Sequence, residues 1–367
     1  MLGRVRFREM DWLLFGLSLL VALLGVLEIY STTMNHPRFA GMHLRQLTWV
    51  ALGLVLLFIV ARIDYHFWID QAPWLYLATV AGLIAVLVLG TEKFGARRWL
   101  EFGGMNFQVS EAAKWTIIIV LAKLLGDLRS ESPTLRDLAK VGVVTGVPLV
   151  LIAAQPDLGT ALTLLPIAAT GVFLAGLRWK HTAAFALAVL LLLPAGWFVL
   201  KPYQRSRLTA FVNPELGTQG PGYQTLQSKI AVGSGAFWGK GLGQGSQNQL
   251  GFIPVRHAEF VFAAYAEEQG FAGVLLALAA YLILLLRLLH NVETAPDRAG
   301  ALLVAGVTGL LGFHLLVNVG MVIGYMPVTG IPLPLMSYGG SATLTTFMML
   351  GLVMSGACAR SSPGPAS

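Results

Sequence analysis

Runs of about 20 apolar residues, the length a helix needs to cross a hydrocarbon layer, recur from one end of this chain to the other. On that ruler ten spans are predicted, at about 12–32, 45–63, 73–90, 109–126, 141–156, 159–177, 182–200, 258–287, 300–324 and 333–356. Only AAQPDLGTAL parts the fifth from the sixth, so that boundary is the least sharply drawn. With 56% apolar and only 12% charged residues in 367, a soluble core is excluded, and the chain reads as an all-α polytopic membrane protein. One helical bundle, residues 1–360, accounts for its length, followed by a short tail, 361–367, expected to be disordered. The opening MLGRVRFREMDW is basic and then apolar like a signal peptide, but the run from Trp12 to Tyr30 is long enough to span and no cleavage site follows. It is expected to be a retained first helix.

Lys and Arg in the short loops set the orientation. With the N-terminus inside, Arg62, Lys123, Arg136, Lys140, Lys180, Arg287 and Arg298 fall on one side, so both termini are predicted to be cytoplasmic. The other face keeps Arg97 and Arg98 in a shorter loop, against the trend, which points to a need for positive charge there. The net charge of +7 comes without a basic run or aromatic-basic module, so nucleic acid is not an expected partner. Anionic lipid head groups are. The one cysteine, Cys358, cannot form an intrachain disulfide. No Walker loop, metal-type His or Cys cluster or Ser-His-Asp pattern is present, which disfavours an ATP-driven pump.

The only long hydrophilic stretch lies between the seventh and eighth spans, residues 201–257, and is expected to be a large loop on the outer face. It carries Lys201, Arg205, Arg207, Lys229, Lys240 and Arg256 and is rich in Gly, Gln and Asn. A solvated loop is one reading. The other rests on its end, where His257, Glu259, Glu267 and Glu268 lie in or beside an apolar run, because ionisable groups entering a membrane helix are costly and usually line a cavity.

Three further places hold chemistry-bearing residues. Glu111 and Lys114, three apart at the start of a span, share a helix face and can pair, either as a purely structural ion pair or at a cavity. Just before them, the guanidinium forks of Arg97 and Arg98 suit phosphate oxygens, although long basic side chains also reach up to head groups unaided. In QPDLGT, Asp157 either caps the following helix or makes a polar contact inside the bundle. Finally, NVGMVIGYMPVTGIPLPLMSYGGSATL joins three prolines and several glycines in apolar sequence. Irregular backbone at that depth survives only where protein or a watery cavity satisfies it, so a re-entrant loop or broken helix is expected, with Ser337, Tyr338, Gly339 and Gly340 within reach of a ligand. These residues alone indicate a membrane protein that handles an anionic, lipid-linked ligand at its outer face.

In order, ARRW with QVSEAAKW, QPDLGT, GYQTLQSKIAVGSGAFWGKGLGQGSQNQLGFIPVRHAEFVFAAYAEEQGFAG and MPVTGIPLPLMSYGGS resemble the SEDS family (shape, elongation, division and sporulation), over nearly the whole chain and closest to its elongation branch. The resemblance implies a ten-helix fold in the bacterial cytoplasmic membrane and a peptidoglycan glycosyltransferase that polymerises lipid II at the outer face. A sugar hydroxyl would attack the anomeric carbon of the growing glycan strand with inversion, and undecaprenyl pyrophosphate would leave. An acidic side chain would act as general base, with basic residues, and optionally a divalent cation, at the pyrophosphate.

Carried over by position, the family's essential aspartate falls on Glu259, so this chain departs from its family by one methylene. That departure leaves two readings, a carboxylate base of either length or an impaired enzyme. Val109 stands where the family usually has proline, which affects a turn. The same carry-over makes Arg97 and Arg98 candidate pyrophosphate contacts, and Asp157 and the Glu111–Lys114 pair part of the cavity. Lys229, Lys240, Gln249, His257 and Ser337 become candidates for the substrate path. Glu267 is expected either to tune Glu259 or, with Glu268, to position the helix. A class B penicillin-binding protein is the implied partner, contacting the outer ends of the eighth and ninth spans and the long loop. The rival functions are a lipid II flippase and a scaffold that only recruits that partner.

Overall fold

The computed structural model describes residues 10–93, 96–102, 105–128, 130, 132–177, 180, 183, 201–212, 220–253 and 255–359. The expected seventh span (182–200) apart from residue 183, the tail 361–367 and the stretch 213–219 of the long loop lie outside the described residues. At every other expected span the chain is helical.

Helix α1 (Trp12–Thr33) starts where the Asp11 carboxylate accepts the Leu14 N–H at 3.1 Å. After it come α2 (Met42–Arg62), the short α3 (Tyr65–Asp70) and α4 (Ala72–Leu89). Between α4 and α5 (Val109–Gly126) lies a feature the apolar ruler does not see, a three-stranded antiparallel sheet of β1 (Thr91–Lys93), β2 (Ala96–Phe102) and β3 (Met105–Phe107). Its register pairs Glu92 with Arg97 and Leu100 with Phe107.

Helix α6 (Leu135–Ala154) begins well before the expected position 141, because Thr134 and Asp137 form a reciprocal capping box. The second half of the charged segment GDLRSESPTLRDLAK, which lies between the fourth and fifth expected spans, is therefore helix. The sixth expected span is two pieces, α7 (Leu158–Leu162) and α8 (Leu164–Leu174), meeting at Thr163.

The hydrophilic stretch is more ordered than a solvated loop, with α9 (Pro202–Val212), α10 (Pro221–Ser234) and the single turn α11 (Ser246–Gln249). Then come α12 (Val261–Glu293), α13 (Arg298–Val322) and α14 (Gly340–Ala359). Residues 333–339, expected inside the last span, are not helical, as Pro332 and Pro334 cannot supply helix N–H donors.

By length and composition α1, α2, α4, α6, α12 and α13 can each cross a membrane, while α5 carries Glu111, Lys114 and Lys123. Helix α13 packs against α5, α8 and α12, and α14 against α2. Buried Leu303, Val307 and Leu310 of α13 and Ile117, Ile118 and Leu121 of α5 belong to one continuous core.

Helix α12 is broken at Gly270 (φ 64°, ψ −167°). The hydrogen bonds lost there are replaced by the segment before α11. Lys240 and Gly241 donate backbone N–H groups to the carbonyls of Glu267 (3.1 Å) and Glu268 (2.9 Å), and Phe271 and Ala272 donate to those of Ala236 (2.9 Å) and Phe237 (3.0 Å). A Cβ at Gly270 would come within 2.2 Å of the Gly239 nitrogen, so only glycine fits this left-handed, crowded position.

Candidate active site

A cavity of about 850 Å³ opens at the end of the bundle where the sheet, the α6–α7 junction and the segment before α14 meet. Arg45, Trp49, Arg98, Gln108, Glu111, Asp157, Glu259 and Tyr338 are among its lining residues. A smaller chamber of about 120 Å³ adjoins it and adds Gln204 and Arg207 from α9. The two share Arg98, Asp157, Glu259 and Gly330, so Glu259 stands in the wall between them.

Glu259 belongs to the turn that precedes α12, not to the helix. Two side chains fix the backbone here. The Asn318 amide of α13 donates at 2.9 Å to the Glu259 carbonyl and at 2.9 Å to that of Ile331, and the Ser337 hydroxyl donates at 2.7 Å to the Ala258 carbonyl. The carboxylate lies over Gly330, whose φ of +79° and missing side chain leave the room it uses. Burial pushes the Glu259 carboxyl above the usual carboxylate range; the charges of Arg207 and Arg98 oppose that shift, and Asp157 adds to it.

Arg98 and Asp157 are locked together. The Arg98 guanidinium donates to the carbonyls of Gln155 (3.3 Å) and Pro156 and reaches within 3.7 Å of Asp157. Asp157 also accepts the Gln108 side-chain amide at 2.9 Å and the Thr160 N–H at 3.3 Å. Its two sequence readings therefore hold at once, as it caps α7 and lines the cavity. Arg97 is exposed and absent from the lining, whereas Arg98 and Trp99, which follow it on β2, both line the cavity.

Lys114 and Glu111 form a 2.7 Å ion pair with both side chains buried. Glu111 lines the cavity, whereas Lys114 lies below it. His257 lies between the rings of Phe39 and Tyr338, where burial, with the Arg256 charge adding to it, pushes its pKa down to about 4.

Lys229, Lys240 and Gln249 do not line the cavity. The Lys229 side chain packs over Gly324 at the end of α13. Gln249 binds Asn35 at 2.9 Å and the Ser31 carbonyl at 3.0 Å. Lys240 pairs with fully buried Glu267 at 2.6 Å. Glu267 also accepts the N–H groups of Gln247 (2.9 Å) and Asn248 (3.1 Å), while Glu268 accepts from Ser31 (2.5 Å), Gly243 N–H (3.0 Å) and Asn248 (3.0 Å). Of the two roles expected for this acidic pair, the geometry gives positioning; both residues fold the loop onto α12.

Sequence reasoning passed over four residues here. Arg207 is one base among several in the loop, and nothing in its neighbours singles it out. Arg45 and Gln108 become notable only once the sheet folds over them. Asn318 did carry a signal, as a lone amide inside the apolar run LLVNVGM. Among the described residues no group of three or more His, Cys, Asp or Glu side chains can hold a metal ion. The acidic pair at the wall, Asp157 and Glu259, faces arginines, so the donor set does not fit a protein-held divalent cation.

The FtsW/RodA/SpoVE family model, described as a cell cycle protein, matches residues 11–361. Among curated relatives, the peptidoglycan glycosyltransferase MrdB of Escherichia coli K12 is 39% identical over 86% of this chain and 85% of its own length. The peptidoglycan glycosyltransferase RodA of Treponema pallidum is 34% identical over 95% and 97%. A chain from a peptidoglycan synthase complex, solved in a study of how polymerization and crosslinking are coordinated, superposes with a TM-score of 0.81 at 35% identity, covering 96% of this chain and 99% of its own. The rod shape determining protein RodA of Thermus thermophilus gives 0.72 at 31% identity over 96% and 98%.

Proposed function

This chain belongs to the FtsW/RodA/SpoVE family, and from that premise we propose that it is a peptidoglycan glycosyltransferase that polymerises lipid II at the outer face of the cytoplasmic membrane, for cell elongation. It is a multi-pass membrane protein. The observation that carries the proposal is the Glu259 carboxylate, held in the wall of an 850 Å³ cavity and facing Arg98 and Arg207.

In this reading Glu259 takes the proton of the attacking sugar hydroxyl as the C–O bond forms at the anomeric carbon and the bond to the pyrophosphate oxygen breaks. A single displacement inverts that carbon. A base with a raised pKa is the better matched to a hydroxyl near neutral pH, while Arg98, Arg45 and Arg207 offset the charge that develops on the departing undecaprenyl pyrophosphate. No step runs through a metal ion. The basic loops at the opposite end and both termini face the cytoplasm. A class B penicillin-binding protein crosslinks the product, docked at the outer ends of α12 and α13 and the long loop; the solved synthase complex to which this chain is similar supports such a pairing.

The test is lipid II polymerisation by the purified protein with its cognate penicillin-binding protein, transpeptidase blocked, comparing this sequence with Glu259→Asp and Glu259→Gln. Polymer from the first two and none from the third supports a carboxylate base. Activity only in the aspartate variant marks this chain as an impaired enzyme. Polymer from all three removes Glu259 from the mechanism, and lipid II movement across vesicles without polymer from any of them favours a flippase.

A further inference from the structure

Below the main cavity, on the far side of Glu111, lies a third cavity of about 20 Å³, lined by Glu111, Lys114, His314, Ser337, Thr343 and Thr346 among others. A cavity needs roughly 10–15 Å³ of this kind of volume and two or more polar partners to hold a water. Both conditions are met here. His314, on α13, is 4% exposed. Its Nδ1 lies 3.0 Å from the Pro332 carbonyl, while its Nε2 is buried with no partner. A ring nitrogen needs a partner whether it donates or accepts. The Lys114 ammonium has three N–H donors, of which the 2.7 Å contact to Glu111 uses one.

We propose that this cavity is a built water site, in which one water bridges His314 Nε2 to the Lys114–Glu111 pair, and that His314 is thereby a positioning residue for the polymerase. Its two nitrogens join separate parts of the active site. One holds the Pro332 carbonyl, in the segment that also carries Gly330 beneath Glu259. The other, through the water, holds the ion pair whose Glu111 lines the main cavity. The water and the imidazole thus set the distance between the floor of the cavity and its catalytic wall, which otherwise hang from different helices.

The catalytic part rests on the proposed polymerase activity, and the water part does not. The experiment therefore has two arms on the full-length protein. In the first, a structure at a resolution that shows ordered waters is expected to place one within about 3.2 Å of both His314 Nε2 and Lys114 Nζ. A site without that water overturns the proposal. In the second, His314→Leu is expected to lower kcat for lipid II polymerisation roughly tenfold with little change in KM, as a small misplacement of a catalytic wall does. His314→Gln, whose amide can still reach the Pro332 carbonyl or the water, is expected to recover most of that loss. Leucine and glutamine variants that behave alike, or a leucine variant as active as the parent, overturn the positioning role. Failure of the parent protein to polymerise would sink the functional reading alone, with the first arm still deciding the water site.

Discussion

Glu259 and Arg207 meet over one glycine. A Cβ built on Gly330 would lie 3.2 Å from Glu259 Oε1 and 3.5 Å from Arg207 Nη1, so a single absent methyl makes room for the carboxylate and the guanidinium together. Gly330 also adopts φ +79°, where an L side chain costs about 1 kcal/mol or more. Gly330→Ala should therefore fold with a modestly lowered melting temperature but lose polymerase activity by roughly tenfold or more, because the carboxylate must move. Melting in detergent and initial-rate measurements on the same preparation check both halves.

Arg207 lowers the Glu259 pKa against the rise that burial imposes. Removing its charge leaves burial less opposed, so the pKa rises further and the base is protonated at higher pH. The acid limb of the kcat/KM profile of Arg207→Ala should shift to higher pH than in the parent, on top of a loss of roughly tenfold at its optimum. An unshifted limb would place Arg207 at the pyrophosphate alone.

Glu267 has no exposure and collects a lysine and two backbone donors. Glu267→Gln removes the charge that Lys240 faces and turns acceptor capacity into donors. Glu267 is buried but Lys240 is 27% exposed, so the loss is that of hydrogen bonds to a buried charged acceptor, about 1–3 kcal/mol, and this variant should melt below the parent. The double change Glu267→Gln with Lys240→Met should recover part of the difference, since no lone cation is then left behind.

At the opposite end of the bundle, His66 bridges Asp64 and Asp297, both at 2.8 Å, and Asp297 caps α13 through the Gly300 N–H at 2.7 Å. Burial works against the charged imidazole, but hydrogen bonds to the two carboxylates and their charges outweigh it and raise its pKa. A raised pKa means that the folded state holds the proton more tightly. The stabilisation is therefore complete below the ordinary histidine value and is lost as pH rises through the raised one. Across about pH 6 to 8 the parent should lose melting temperature relative to His66→Phe. The effect should stay under about 1 kcal/mol, because the pair is half exposed and screened.

The helices and the general place of the site were legible in the sequence, because the apolar ruler and the few charged residues that break it are both written in composition. Asp157, Glu111 and Glu259 stood out as acids in greasy runs, and they do line one cavity. The sheet is less legible, because the only trace of it is the Gly-Gly pair between two short runs in ARRWLEFGGMNF, a hairpin signal much weaker than the apolar runs on either side. The difference between Arg97 and Arg98 was illegible for the same reason, since which residues of β2 reach the cavity depends on how the sheet lies over it. Arg207 was illegible for another reason: its importance comes from where α9 lies against Gly330, a long-range contact with no local trace.

The break in α12 bears on how the molecule is made. Two carbonyls and two amides at the break depend on backbone from residues 236–241, a stretch that emerges from the ribosome before α12 does. The break in α12 is therefore completed by chain that was synthesised before it. Translation from the N-terminus presents template before client, whereas a permuted chain starting at α12 would have to enter the bilayer with those four groups bare.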